Sequence, residues 1–228
     1  MFLPLFIRNI LFEGEHLRAI GRSGNATRVF AMQGNLDASC CIYSLMMMLI
    51  LNKKLDWDDL IKREKEKENE FVHAIHQKFL KNLMGYYRGG HTMLDISNKL
   101  NECYNDKLSE FFTIRSGTRR TVSRKGLHKK IKAELDKREP VMLAYRKKNG
   151  DGHAVVAIGY CMNGTEKMRL FCLDPSHQLS FLQIWNNVID LDFLSEDNKA
   201  LTDYNYSVDD NVIVDEIITI NSDPGLPF

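Results

Sequence analysis

The segment Cys40–Asn52 is apolar on every face, and it constrains the fold more than any other stretch of the sequence. A helix without a polar face has to be buried on all sides, so the pattern predicts a central helix of the domain. Small polar residues precede the segment, which puts Cys40 and Cys41 at the helix N-terminus. Unpaired N–H groups and the helix dipole stabilise a thiolate there, and the position therefore favours a reactive cysteine.

Composition indicates an ordinary globular protein. The 228 residues suit one sizeable domain, and an apolar fraction of 44% is enough for a core. With 31 basic and 30 acidic residues the net charge is +1, which gives no reason to expect nucleic acid or an anionic membrane as partner. The locally basic stretch from Arg115 to Lys132 lacks interleaved aromatic residues, so we interpret it as a solvated loop and helix face.

The cysteines and the N-terminus indicate which cellular compartment and which bound groups to expect. There are five cysteines, and none stands in a CxxC or other metal-ligand spacing, so no disulfide framework, metal site or cofactor is expected. The apolar start is short and reaches Arg8 too soon for a secretory signal. No run approaches the roughly 18 apolar residues of a membrane span. We expect a soluble protein, cytoplasmic where it is made.

Hydrophobic periodicity divides the chain into a helical part and a strand part. Helical patterns over 71–84, 92–104 and 124–138 follow the central helix, and Val29–Met32 is interpreted as a short strand before it. β-rich runs then predict strands over 141–145, 154–160, 168–173, 179–188 and 212–220, with an acidic surface excursion over 190–210.

This order predicts an α+β fold with a site at the seam between its two parts. We divide the chain into an N-terminal extension, residues 1–28, and one domain, residues 29–228. Within that domain we expect a helical lobe over about 29–135 and a β lobe over about 139–220.

Two residues of the strand part could serve a cysteine nucleophile. His153 opens a strongly apolar strand after a glycine, and Asp174 ends another strand before a proline. A thiol needs a base, and the base needs a group that orients it, so the order Cys…His…Asp favours nucleophilic catalysis. Gln33 lies a short loop upstream of Cys40, where an amide can help to stabilise an oxyanion. Taken singly, each residue also fits a structural role in the core or in a turn.

The residues around these positions resemble papain-like cysteine peptidases. Ser39–Ser44 is similar to the start of their active-site helix, and the closer resemblance is to the double-glycine leader peptidases and their free-standing relatives. Gly152–Val156 and Asp174–Pro175 match the histidine strand and the Asp-Pro pair of that branch. The resemblance implies a papain-like α+β fold, with Cys40 as nucleophile, His153 as general base, Asp174 as orienting carboxylate and Gln33 in the oxyanion hole.

Two departures from the pattern leave the nucleophile open between Cys40 and Cys41. Cys41 stands where the leader peptidases usually have glycine, and the gap from Gln33 to Cys40 is one residue longer than theirs. We prefer Cys40, because Cys41–Ser44 then aligns with the helix of papain relatives.

The resemblance implies hydrolysis of a protein or peptide substrate through a thioester, by a processing enzyme or by a secreted bacterial effector or toxin. An amidase, a deamidase, an acyltransferase and an inactive binding module remain as alternatives. The oligomeric state is not determined by the sequence.

Overall fold

A computed structural model of the chain describes residues 3–33, 39–61, 69–80, 92–105, 113–118, 123–147, 152–180, 182–193, 198–201 and 209–221. The charged run 62–68, the predicted helix end over 81–84 and the linking segment 106–112 lie outside these residues. Part of the basic stretch, residues 119–122, also lies outside them.

Eleven strands are described. In chain order they are β1 (Leu5–Phe6), β2 (Ile10–Glu13), β3 (His16–Ile20), β4 (Ala26–Arg28), β5 (Thr113–Thr118), β6 (Val141–Lys147), β7 (Gly152–Asn163), β8 (Lys167–Leu173), β9 (Asn187–Asp192), β10 (Asn198–Leu201) and β11 (Asp209–Asn221). All strand pairs are antiparallel. Strands β6 to β11 close into a ring, since β6 pairs with both β7 and β11 and each later strand pairs with the next. Strands β1 and β5 extend this sheet at β7 and β11.

The helices are α1 (Cys40–Leu51), α2 (Trp57–Ile61), α3 (Glu70–Ile75) with a π-helical continuation over His76–Leu80, α4 (Met93–Asn105) and α5 (Arg124–Asp136). Helix α1 packs against β7 and β6, and Met47 and Met48 in its middle are completely buried. The prediction of a central apolar helix is therefore confirmed, and so is the α+β class, with helices against an antiparallel sheet.

The first 28 residues contribute strands of their own. β2, β3 and β4 form a small sheet, and Arg22, in the turn between β3 and β4, donates two 3.0 Å hydrogen bonds to Asp59 of α2. β1 pairs with β7 where Gly159 leaves room for Phe6. The proposed boundary after residue 28 stays a prediction, but residues 5–6 are hydrogen-bonded into the main sheet.

Three local predictions are wrong. Residues 29–32 form no strand, and the strand β4 lies three residues earlier. Val29 follows β4 and donates a hydrogen bond to Leu17 O. The described part of the predicted strand over 179–188 is irregular up to residue 186, and β9 starts at Asn187. The acidic segment 190–210 is not a plain excursion, since β10 lies in it and bridges β9 and β11. In each case the pairing between strands in the folded protein determined where the strand lies, and the local sequence pattern did not.

Candidate active site

Cys40 is the first residue of α1, as the sequence predicted. Ser39 is buried beside it, and its carbonyl accepts hydrogen bonds from Ile42 N at 2.8 Å and Tyr43 N at 3.1 Å. The Ser39 side chain forms no cap, so its hydroxyl does not compete with the thiol for the first N–H groups of the helix. Cys40 is half-buried, whereas Cys41 is buried.

The pairing of β7 with β8 brings His153 and Asp174 together. Val156 pairs with Leu173, so the start of β7 and the end of β8 lie at the same end of the sheet. His153 Nε2 lies 2.7 Å from Asp174 Oδ1, and the Asp174 side chain is fully buried. A carboxylate can only accept, so Nε2 carries the proton of this bond. Ser176 Oγ lies 3.4 Å from the same nitrogen, and the imidazole is also hydrogen-bonded to the Cys40 thiol.

The Asp174 carboxylate receives several donors besides His153. Ser176 N donates to Oδ1 at 2.8 Å, and Asn187 Nδ2 donates to Oδ2 at 2.6 Å. His177 Nδ1 lies 3.2 Å from Oδ2. Burial opposes ionisation of this carboxyl, but the hydrogen bonds from His153 and His177 outweigh burial and hold its pKa below the usual range.

Two asparagines and a tyrosine complete the surroundings of this carboxylate. Asn186 Oδ1 accepts a hydrogen bond from Asp174 N at 2.7 Å, and its Nδ2 donates to Asp174 O at 2.8 Å. Tyr145, opposite His153 on β6, meets the imidazole edge-on with ring centroids 5.5 Å apart. The backbone and the carboxylate of Asp174 are thus both held in place, and Tyr145 packs against one side of the His153 imidazole.

The thiol and the imidazole stabilise each other in their charged forms. A hydrogen bond from Cys41 and the contact with His153 lower the pKa of Cys40, although burial opposes this. Burial disfavours the imidazolium of His153, but the hydrogen bonds to Asp174 and Cys40 outweigh it and raise its pKa to about 9. Burial and the neighbouring thiolate raise the pKa of Cys41. The geometry therefore favours Cys40 over Cys41 as the ionised thiol.

Gln33 is brought to the same end of the sheet through its backbone. Gln33 N donates a 2.8 Å hydrogen bond to Pro175 O, one residue after Asp174. Its side-chain Oε1 is buried, with no hydrogen-bond partner among the described residues. Residues 34–38, which join Gln33 to the helix start, lie outside the described residues. The oxyanion role of Gln33 stays a prediction.

The sequence analysis missed Ser44, Asn186 and Asn187. Ser44 carried a weak signal, because it is a polar residue within an apolar helix and lies four residues after Cys40. The asparagines carried none, since they fell at the end of a segment interpreted as a strand.

The described residues hold no group of three or more His, Cys, Asp or Glu side chains suited to a metal ion. None of the five cysteines forms a disulfide. Within the described part of the chain, no helix is long and apolar enough to cross a membrane.

The chain is similar to a protein family and to solved structures. Among solved structures, the chain is similar to a structure titled "Crystal structure of UfSP from C.elegans", with 12% identity and a TM-score of 0.45. That similarity covers 97% of this chain and 34% of the other, so this chain spans about a third of its length. A search of curated proteins finds no match.

The model of the Peptidase C10 family matches residues 41–172, more than half of the chain. The match includes His153 and ends just before Asp174. An α+β papain-like fold follows from this family. The chain belongs to the Peptidase C10 family of cysteine peptidases.

Proposed function

We propose that this peptidase hydrolyses peptide bonds with Cys40 as nucleophile, His153 as general base and acid, and Asp174 as the orienting carboxylate. The observation that carries the proposal is the 2.7 Å bond from His153 Nε2 to the buried Asp174 carboxylate, with the imidazole in hydrogen-bond contact with Cys40 at a helix N-terminus. Each partner has the position and the charge that its role requires.

The chemistry follows from these charges. The Cys40 thiolate attacks the scissile carbonyl, and the S–C bond forms as the carbonyl π electrons move to oxygen. The His153 imidazolium then gives its proton to the leaving amine, which produces a thioester on Cys40. In the second half, neutral His153 takes a proton from water, the hydroxide attacks the thioester, and the thiolate leaves. Asp174 keeps the imidazole in one tautomer throughout.

The oxyanion of both steps needs donors next to Cys40. The proposal assigns them to the Cys40 backbone N–H and the Gln33 side-chain amide. One observation supports Gln33: its backbone N–H is hydrogen-bonded to Pro175 O beside the triad. A Gln33→Ala variant is expected to lose about 10²–10³ in kcat, the usual effect of removing one such donor.

The direct test is hydrolysis of a quenched-fluorescent peptide library by the wild type and by Cys40→Ala, His153→Ala and Asp174→Asn. The first two variants should lose turnover while keeping their fold by circular dichroism. Cys103→Ala, which removes a buried thiol of α4, is the matched control and should keep its activity. Turnover that survives in Cys40→Ala but not in Cys41→Ala would move the nucleophile by one residue.

Product masses separate peptide hydrolysis from its alternatives. A thioester can also be resolved by an amine or formed from a side-chain amide, which would make the protein a transferase, an amidase or a deamidase. Peptide fragments support hydrolysis, whereas a mass change of an intact chain supports the other reactions. No reaction and no labelling of Cys40 would favour an inactive binding module.

The narrower role is also a proposal. The resemblance to double-glycine leader peptidases rests on Gly152–Val156 and Asp174–Pro175, and the narrower role proposed is that of a processing enzyme or of a secreted effector or toxin. Action as a secreted effector or toxin, or as a cytoplasmic processing enzyme, is tested by locating the protein in culture fractions of its host.

A further inference from the structure

At the His153 end of strand β7, the pairing with β8 stops at Val156, so the first residues of β7 have no β8 neighbour. The β7–β8 register pairs Val156 with Leu173, and its continuation would put Ala154 opposite Pro175. Proline has no N–H to donate, and the chain turns away there, with the Pro175 carbonyl bonded to Gln33 N. In an antiparallel ladder the N–H and C=O of one residue point to the same neighbour. Both groups of Ala154 therefore face the place that β8 has left.

Helix α1 occupies that place and supplies the missing partners. Ser44 Oγ donates a 2.9 Å hydrogen bond to Ala154 O, and both residues are completely buried. The Ala154 N–H is hydrogen-bonded to Cys40. Cys40 and Ser44 lie four residues apart and so on one face of the helix. The two backbone groups of one residue of β7, Ala154, are thus bonded to both of these side chains.

The Ser44 bond is not the one that a serine in this position makes by default. In a helix, a serine hydroxyl usually bonds the carbonyl four residues back in its own helix. Here the hydroxyl instead reaches a residue 110 positions away in the chain. All residues of α1 from Leu45 to Leu51 are apolar. Beyond the contacts of Cys40 itself, the Ser44 bond is therefore the polar contact that fixes the position of the described helix along β7.

We propose that Ser44 is a positioning residue that sets the distance between Cys40 and His153 through the Ala154 peptide. The inference rests on the proposed triad, because the role given to Ser44 is to position Cys40 relative to His153. Ala154 directly follows His153, so a shift of α1 along β7 moves the thiol relative to the imidazole. An apolar residue at position 44 would fill the same space but would leave the helix free to slide.

The experiment compares Ser44→Ala with Ser97→Ala in the purified full-length chain. Ser97 lies in α4 and is also buried, so its variant controls for the loss of a buried hydroxyl. Three quantities are measured: the pH midpoint of Cys40 alkylation by iodoacetamide, kcat and KM on one peptide chosen from the library, and the melting temperature.

We expect Ser44→Ala to lower kcat by roughly tenfold to a hundredfold with KM nearly unchanged, as small misplacements of reacting groups do. Its alkylation midpoint should rise, since the thiolate loses alignment with its imidazolium. Ser97→Ala should change neither. A purely structural Ser44 would lower the melting temperature and leave kcat and the midpoint at the wild-type values, and that outcome overturns the inference.

Ser44→Thr covers the case in which Ser44→Ala does not fold, because threonine keeps the hydroxyl. A wild-type midpoint in the threonine variant supports the inference, and a shifted midpoint in a folded threonine variant contradicts it. Failure of the proposed function is a different result: the wild type itself would then show no turnover and no selective labelling of Cys40.

Discussion

The contact between the two adjacent thiols makes a sharp prediction about Cys41. Cys41 is buried directly after Cys40, and its hydrogen bond lowers the pKa of Cys40, as do the hydrogen bonds from His153 and the Ala154 N–H. We therefore expect Cys41 to act as the donor that keeps Cys40 ionised, and not as a second nucleophile.

The magnitude follows from the energy of such a bond. A hydrogen bond to a charged group contributes about 1.5–3 kcal/mol, and one pKa unit corresponds to 1.36 kcal/mol. Cys41→Ala should therefore raise the alkylation midpoint of Cys40 by about one to two pH units. Cys41→Ser keeps a donor at the same place and should stay near the wild type.

The assay has to follow the midpoint and not a single rate. The pKa of Cys40 is lowered to about 4, so almost all of the thiol is ionised at pH 6, against roughly one part in 300 for an ordinary cysteine. A thiolate of low pKa is also a weaker nucleophile, by a factor of about 100 over this range. The two effects nearly cancel in the rate at pH 6, whereas the pH at half-maximal rate reports ionisation alone.

The pH profiles of labelling and of turnover each change in a defined direction. Labelling rises as the pH passes about 4, where Cys40 loses its proton, and turnover falls above about 9, where His153 loses the proton that the leaving group needs. Peptide mapping provides an internal control, because burial raises the pKa of Cys103 to about 11 and it should remain unlabelled. An unchanged midpoint in Cys41→Ala would refute the role of Cys41 and leave the thiolate to His153 and the helix N-terminus.

Two further predictions concern stability. Gly159→Ala should lower the free energy of unfolding in urea by about 1–3 kcal/mol, because its Cβ would lie 2.4 Å from a ring atom of Phe6. Gly152→Ala, whose Cβ meets nothing within 4 Å, is the control, and equal losses in both would contradict the argument. Asn187→Leu removes a donor from Asp174, so the folded-state pKa of that carboxyl rises. In the wild type the lowered pKa of Asp174 stabilises the fold at pH values above the usual carboxyl range, and this stabilisation is lost on acidification. Because the variant loses it at a higher pH, it should unfold at a higher pH in an acid titration followed by circular dichroism. An unchanged acid midpoint would show that Asn187 does not support the charge.

The sequence alone predicted the parts of the site that depend on local pattern. The apolar run after Cys40 indicated a buried helix with a thiol at its start, and α1 begins at that residue. The Gly-His pair before an apolar run indicated a strand with His153 at its beginning, and β7 starts one residue earlier. Periodicity and turn residues act over a few neighbours, so they can be read without knowing the fold.

Only the tertiary structure decided which groups meet. The β7–β8 register brought Asp174 to His153, the irregular segment before β9 delivered Asn186 and Asn187, and the early end of β8 gave Ser44 its partner. These contacts join residues from 12 to 110 positions apart in the chain. No local pattern encodes such a bond, because a hydroxyl or an amide can satisfy itself in a turn, in a helix or at a distant carbonyl, and the choice is made only when the sheet and the helix pack together.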